Sequence, residues 1–209
     1  ADHRAATATI DEIEAWYRSL GLRLLVQVSS ADPAAPELDA LLASRGAEIE
    51  APVDVLVADA REVVAAATSG SRSPHQAAVR VGVSETWAAE LAHGPRTTAY
   101  GAMLAGLGPN ALGGTVVVGG QVVGVGFAVL ERGWAGIFGM ATAPARRRTG
   151  VAVALLAALA TAAADRGGAQ LYLQVETDNE AARALYAGLG FTRDHGYHYR
   201  AITPAPITA

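Results

Sequence analysis

The sequence predicts an α/β protein, because segments rich in β-branched residues alternate with segments rich in alanine and leucine. Two β-branched runs, 115–118 and 121–130, are joined through Gly119-Gly120, a pair that tolerates the positive φ angles of a tight hairpin turn. A helical run over 149–166 ends at Gly167-Gly168 and precedes a strand over 170–175 and a helix over 178–189.

The remaining elements suggest two parts to the chain. Further strands are predicted at 77–83 and 134–142, with helices around 87–91 and 96–107. The first part shows a helix (11–20), a strand (22–28), a helix (36–44) and a strand (48–58). Residues 68–74 are rich in Ser, Gly and Pro, which is typical of a linker. We therefore expect an N-terminal unit at 1–67, a linker at 68–75 and a main domain at 76–209.

Composition narrows the possible functions. The chain of 209 residues has no cysteine and no lysine, which argues against disulfides, thiolate nucleophiles, Schiff bases and a P-loop lysine. A net charge of −4 argues against nucleic acid as a partner. No apolar run approaches the roughly 18 residues of a membrane span, and no signal peptide is visible, so a cytoplasmic location is expected. No metal site is expected, since His195 and His198 lie on opposite faces of a predicted strand.

An anion-binding pattern opens the helix predicted over 149–166. It consists of Arg147-Arg148-Thr149-Gly150-Val151-Ala152. The first amides of a helix lack internal partners and carry the positive end of its dipole, so they attract phosphate groups. Small residues at Gly150 and Ala152 let the backbone approach such a group, and the arginines add charge-assisted hydrogen bonds.

A second pattern lies in the next helix. Thr177 and Glu180 have the spacing of a capping box, which predicts Thr177 as the N-cap. Asn179, Ala182 and Tyr186 then share one helix face, and Gly190 ends the helix.

The two patterns, in this order with one strand between them, resemble the cofactor site of the Gcn5-related N-acetyltransferase (GNAT) superfamily. The resemblance implies an α/β GNAT fold, a twisted mixed sheet flanked by helices and splayed between its fourth and fifth strands. It also implies acetyl-CoA as cosubstrate and direct attack of a primary amine on the thioester in a ternary complex.

The resemblance also implies roles for individual residues. Contacts with coenzyme A are expected from a strand, a helix start and a second helix: Met140, Ala141, Thr142, Arg147, Arg148, Thr149, Gly150, Val151, Ala152, Asn179, Ala182 and Tyr186. Tyr186 is the expected general acid, since a phenol of pKa about 10 can protonate a departing thiolate whose thiol has a pKa of about 8.5.

Several points stay open at the level of sequence. Residues 133–145 contain no Asp or Glu, so the base that deprotonates the amine could be Glu131, Glu176, Glu85 or His195. The acceptor is a small-molecule or peptide amine, with Trp87, Tyr100 and Trp134 as candidate pocket residues. The oligomeric state is undetermined. A non-catalytic coenzyme A-binding or scaffold protein is the alternative function.

The N-terminal part resembles a reduced copy of the main domain. Gln27-Val28 followed by a helix that ends at Arg45-Gly46 parallels Gln174-Val175 and the helix that ends at Leu189-Gly190. In this alignment Leu42 takes the place of Tyr186. We hypothesise a partial, degenerate GNAT half preceding the catalytic domain, as in actinobacterial GNAT proteins with an extra partial domain.

Overall fold

The computed structural model describes residues 3–69, 73–83 and 102–202. Its helices are α1 (His3–Ser19), α2 (Ala35–Ser44), α3 (Ala60–Thr68), α4 (Val151–Ala164) and α5 (Glu180–Ala187). Its strands are β1 (Leu24–Ser29), β2 (Glu48–Asp59), β3 (Ala77–Val81), β4 (Ala111–Val118), β5 (Gln121–Glu131), β6 (Trp134–Thr142), β7 (Gln170–Glu176) and β8 (Thr192–Ile202). The chain divides into two compact units: the first runs to Val55 and includes Glu176–Asp178 and the chain from Asp194, and the second comprises Leu56–Val175 and Asn179–Arg193.

In the first unit, β8 lies between β1 and β2. β1 and β8 are antiparallel, with Leu24 opposite Ile202 and Ser29 opposite Tyr197. Alternate side chains of β1 point to one face, where Val28 packs with Ile10 of α1 and the fully buried Leu42 of α2. The core of this unit is therefore formed between one face of the sheet and two helices.

A charged cluster joins α2 to β8. Oδ1 of Asp39 accepts hydrogen bonds from His198 Nε2 at 2.7 Å and Arg200 Nε at 2.8 Å, and Oδ2 accepts one from Arg200 Nη2 at 2.8 Å. Nη1 of Arg200 donates to the carbonyl of Ala47 at 2.9 Å. The bonds from Arg200, and next those from His198, hold the pKa of Asp39 at about 2.

This cluster predicts a loss of stability in acid. Because the pKa of Asp39 is about 2 in the folded chain and about 3.9 when unfolded, its stabilisation is present above about pH 4 and disappears as the pH falls towards 2. With the side chain 29% exposed, we expect about 1 kcal/mol from this source. Urea unfolding at several pH values checks this. Asp39→Asn should have a lower free energy of unfolding than the wild type at pH 6, and this free energy should change less as the pH falls. The control is Glu50→Gln, which removes the exposed pair with Arg23; an acid dependence of Asp39→Asn equal to that of the wild type would contradict the prediction.

The sheet of the second unit is mixed. Its strands follow the order β7-β6-β5-β4-β3, with the end of β2 beside β7. Neighbours from β3 to β6 are antiparallel, whereas β6 and β7 run parallel. Gly119 and Gly120 have φ angles of 60° and 80°, so the predicted hairpin between β4 and β5 is confirmed.

Three helices contribute to the main core of this unit. α4 carries no charged residue, and its buried Leu156 and Leu159 join a cluster with Leu171 and Leu173 of β7. Residues of α3 and α5 belong to the same cluster. None of the described helices combines the length and hydrophobicity that a bilayer crossing requires.

The predicted α/β class with a mixed sheet flanked by helices is confirmed, but one helix was not predicted. α3 begins at Asp59, whose carboxylate accepts hydrogen bonds from the amides of Arg61 and Glu62 at 2.8 and 3.2 Å. Asp59 and Glu62 have capping-box spacing, which is the signal that would have revealed it. The predicted linker therefore starts where α3 ends, at Thr68, and its residues 70–72 lie outside the described residues. The predicted helix at 87–91 and the first half of that at 96–107, residues 96–101, also lie outside them.

The ends of α2 and α5 share one hydrogen-bonding pattern. The amide of Ala47 donates to the carbonyl of Leu42, and that of Phe191 to Tyr186, both at 3.1 Å. Gly46 and Gly190 are both left-handed, with φ angles of 76° and 91°. This local agreement supports the hypothesis of a repeated half domain, which stays a prediction. The compact units divide at Val55, not at the expected linker.

Candidate functional site

The parallel pair β6 and β7 separates along its length. Trp134 to Ile137 pair with Gln170 to Leu173, and among the described residues the pairing ends there. β6 continues to Thr142, bonded to β5 on its other side. From Phe138 onward, the edge of β6 that faces away from β5 has no strand partner among the described residues. The expected splay between two parallel strands is thus present, and an extended ligand could pair with this open edge.

A bulge marks the open part of β6. Val125 of β5 lies opposite Ala141, and Phe127 lies opposite Phe138, so three steps on β6 match two on β5. Gly139 takes a left-handed φ of 59°, which accommodates the extra residue. Met140 fills the space beside Gly126, where a β-carbon would overlap its sulfur. The predicted contact residues 140–142 therefore lie on the open segment, after the bulge.

The start of α4 leaves backbone amides without helical hydrogen-bond partners. A short 3₁₀ turn, Pro144–Arg146, leads to Arg148 with a φ of 63° and to the N-cap Gly150 with a φ of 90°. The helical hydrogen bonds of α4 begin with the amide of Ala154, which donates to the carbonyl oxygen of Gly150 at 3.0 Å. The amides of residues 151–153 make no backbone hydrogen bond to any described residue.

Three arginines directly precede these donors in the chain, and Gly150 offers no side-chain cap. Arg146, Arg147 and Arg148 are all exposed. Unbonded amides, a helix dipole and positive charges together favour the binding of an anion. The segment predicted to bind an anion thus has unbonded amides that follow three exposed arginines, and anion binding stays a prediction.

Close packing fixes this helix start against β5. Val151 is 1% exposed and packs with Val116, Val123 and Leu155. Gly124 on β5 has no side chain at the point of contact, and a β-carbon there would overlap Cγ1 of Val151. The position of the unbonded amides is therefore set by an apolar contact with the sheet.

Tyr186 is largely buried in α5. The residue is 8% exposed, and its ring meets that of Phe191 edge-to-face at a centroid distance of 5.8 Å. Burial raises its pKa above the ordinary value of a phenol, so the hydroxyl stays protonated at neutral pH. The hydroxyl of Tyr186 has no hydrogen-bond partner among the described residues. It is also not fully enclosed, because no side-chain oxygen or nitrogen of the described residues is both inaccessible to solvent and without a hydrogen bond. It therefore reaches the surface.

A hydrogen bond joins Asn179 and Ala182. The side-chain oxygen of Asn179 accepts the amide of Ala182 at 3.1 Å, and Asn179 is the N-cap of α5. The predicted cap at Thr177 is wrong, because the helix begins at Glu180 and the amide of Thr177 donates instead to the carbonyl of Pro52. Asparagine is among the best N-cap residues, which explains the later start.

The three candidate bases that the structure describes lie on three different strands. Glu131 is exposed at the end of β5, 3.7 Å from Arg132. Glu176 is exposed at the end of β7. His195 contacts Asp194 at 2.7 Å, and Glu85 lies outside the described residues. Within the described ranges, no three of the His, Asp and Glu side chains are placed to hold a metal ion.

A group of three aromatic residues, which was not predicted from the sequence, lies beside the splay. Tyr172 of β7 contacts Trp134 and Phe138 edge-to-face at 6.4 and 5.8 Å. Gly136 provides the space, since a β-carbon there would lie 2.6 Å from the hydroxyl of Tyr172. Burial, and next the charge of Glu131, raises the pKa of Tyr172. Of the predicted pocket residues, Trp134 is 41% exposed, whereas Trp87 and Tyr100 lie outside the described residues.

Comparisons with known proteins agree with this geometry. The model of the acetyltransferase (GNAT) family matches residues 85–191, which is more than half of the chain. No curated protein matches the sequence.

Solved structures show the same fold at low identity. A GCN5-related N-acetyltransferase from Kribbella flavida has a TM-score of 0.69 and 15% identity, over 99% of this chain and 78% of its own. A tandem GNAT protein from the clavulanic acid biosynthesis pathway has a TM-score of 0.75 and 14% identity, over 93% and 68%. A conserved protein of unknown function from Staphylococcus epidermidis has a TM-score of 0.65 and 11% identity, over 95% and 79%.

Proposed function

The chain belongs to the GNAT family of acetyltransferases, and from this premise we propose that it transfers an acetyl group from acetyl-CoA to a primary amine. The observation that carries the proposal is the open edge of β6 running towards the unbonded amides at the start of α4. A long ligand with an extended arm and a diphosphate matches both features. Coenzyme A has this shape.

The diphosphate is assigned to the start of α4. The amides of Val151 and Ala152 and the exposed side chains of Arg147 and Arg148 supply hydrogen bonds and positive charge. Thr149 and Gly150 shape the loop, and a carboxylate introduced here would oppose the bound phosphates.

The pantetheine arm is assigned to the open segment of β6. Backbone groups of Met140, Ala141 and Thr142 would pair with its amides as a neighbouring strand does. An amide donor beside the thioester would stabilise the oxyanion that forms on the carbonyl during attack. Asn179 and Ala182 are proposed to contact the cofactor from α5 through atoms other than those of their mutual hydrogen bond.

The reaction follows from the groups available. The amine nitrogen forms a bond to the thioester carbon, the carbon–sulfur bond breaks, and the electron pair leaves with the sulfur. Tyr186 donates a hydrogen bond and then its proton to the thiolate, while the amine proton passes to a base or to water. Tyr186 then regains a proton from solvent, which balances the proton that the amine released. The chain has no cysteine for a cysteinyl intermediate, which favours direct transfer in a ternary complex. We place this reaction in the cytoplasm, with a small-molecule or peptide amine as the acceptor.

A non-catalytic coenzyme A-binding protein is the second candidate. The absence of any carboxylate between Gly133 and Ala145 favours it, because no base stands on the strand beside the thioester. The two candidates share cofactor binding and differ in turnover.

Titration calorimetry with acetyl-CoA tests the shared step. We expect micromolar binding by the wild type and none by Gly150→Glu, whose carboxylate would occupy the diphosphate position. Gly167→Glu is the matched control, since Gly167 has a similar φ of 86° but lies at the other end of α4. Loss of binding in both variants, or in the wild type, would contradict the assignment.

Release of coenzyme A thiol with a panel of amines tests the catalytic step. Because the chain has no cysteine, a thiol reagent reports only coenzyme A. Binding without thiol release for any amine would favour the second candidate.

A further inference from the structure

We propose that His75 is a positioning residue for the phosphate-binding loop before α4, acting through Thr149. Nε2 of His75 lies 3.3 Å from Oγ1 of Thr149. The same hydroxyl lies 2.7 Å from the carbonyl oxygen of Arg146 and donates its hydrogen there. Since a threonine hydroxyl has one hydrogen, it accepts from His75, which carries its proton on Nε2. This inference rests on the proposed function, because it concerns the site assigned to the diphosphate.

His75 precedes β3, the edge strand of the sheet, and this strand positions it next to Thr149. Two residues beyond it, Ala77 begins β3 and packs against the cluster that contains Val151 and Ala154. On the other side, the amide of His75 donates to Oγ of Ser73 at 3.1 Å, a local turn that fixes the approach of the chain. His75 is thus held from both directions while its ring reaches the loop.

The loop is a segment that needs such support. Arg148 has a left-handed φ of 63°, which is unfavourable for a residue with a side chain, and Gly150 follows at 90°. The chain of hydrogen bonds from His75 through Thr149 to Arg146 spans the residues before the helix. By holding the loop in place before a ligand arrives, it lowers the ordering cost of phosphate binding.

The expected result is a loss of affinity for coenzyme A without a loss of catalytic power. We expect His75→Ala and Thr149→Val each to weaken binding about 5-fold, the effect of one lost hydrogen bond. The KM for acetyl-CoA should rise by the same factor, while kcat at saturation stays within about 2-fold. Thr149→Ser, which keeps the hydroxyl, should bind coenzyme A more tightly than Thr149→Val.

A double-mutant cycle decides whether His75 acts through Thr149. If it does, the variant carrying both His75→Ala and Thr149→Val binds coenzyme A no more weakly than Thr149→Val alone. Multiplying losses would show direct contact of His75 with the ligand and would overturn the positioning role, as would wild-type affinity in His75→Ala. Failure of the wild type to bind coenzyme A would instead refute the proposed function, so the two failures are distinguishable.

Discussion

Tyr186→Phe is expected to lower kcat about 100-fold, at the lower end of what a lost general acid costs, while the affinity for acetyl-CoA stays within a few-fold. Phenylalanine keeps the ring that packs on Phe191 and removes only the hydroxyl. Since that hydroxyl satisfies no bond to a described residue, its removal should leave the fold of α5 intact. The loss therefore falls on the departing thiolate and not on cofactor binding.

The raised pKa of Tyr186 sets the pH behaviour of this step. Burial raises the pKa of Tyr186 and disfavours the phenolate, so the proton is present throughout the neutral range and activity should not fall there through its loss. A phenol with a raised pKa stabilises the developing thiolate first by hydrogen bonding, and full transfer is completed when the amine releases its own proton.

Tyr172→Phe is the matched control for this prediction. Tyr172 also has a pKa raised by burial and lies in the same unit, on β7 beside the last pair before the splay. Steady-state kinetics of the two variants should show a large kcat effect only for Tyr186→Phe. Unchanged turnover in that variant would remove Tyr186 from the mechanism.

Local patterns allowed the site elements to be predicted from the sequence. The hairpin at Gly119-Gly120 and the helix start at Gly150 depend on positive φ angles that glycine adopts at low cost. The presence of glycine at these positions therefore predicts the local geometry. The resemblance of 147–152 and the helix containing Tyr186 to a known family then implied the splay of β6 and β7, which neither strand reveals alone.

Features that depend on competition or on distant contacts were not predictable in this way. Thr177 and Asn179 are both favourable N-cap residues. The amide of Thr177 donates to the carbonyl of Pro52, which keeps Thr177 outside the helix and leaves Asn179 as the N-cap. The contact of His75 with Thr149 joins residues 74 positions apart, and no periodicity indicates it. The group around Tyr172 required the register of β6 against β7, which places Gly136 opposite it.

Gly124→Ala is expected to weaken acetyl-CoA binding at least 10-fold although residue 124 is assigned no contact with the ligand. A β-carbon at this position would overlap Cγ1 of Val151 and lie 3.1 Å from Cδ1 of Leu155. Val151 is β-branched and buried, so it has little rotamer freedom to move away. The first turn of α4 must shift instead, and this turn carries the amides assigned to the diphosphate. Overpacking of this kind also costs about 1–3 kcal/mol of stability, measurable by urea unfolding.

A neighbouring glycine and a compensating substitution make this prediction specific. Gly114→Ala on β4 would place a β-carbon 3.3 Å from the carbonyl oxygen of Gly126 on β5 and 3.3 Å from terminal methyl groups of Leu155 and Leu159. The methyl groups can adjust, and both leucines lie further along α4 than Val151. Gly114→Ala should change affinity by less than about 2-fold, because the helix start need not move. Adding Val151→Ala to Gly124→Ala removes the overlapping methyl group and should restore most of the affinity measured by calorimetry. Wild-type affinity in Gly124→Ala alone would show that the amides of α4 are not held in place by the sheet, and the steric account of the site would fail.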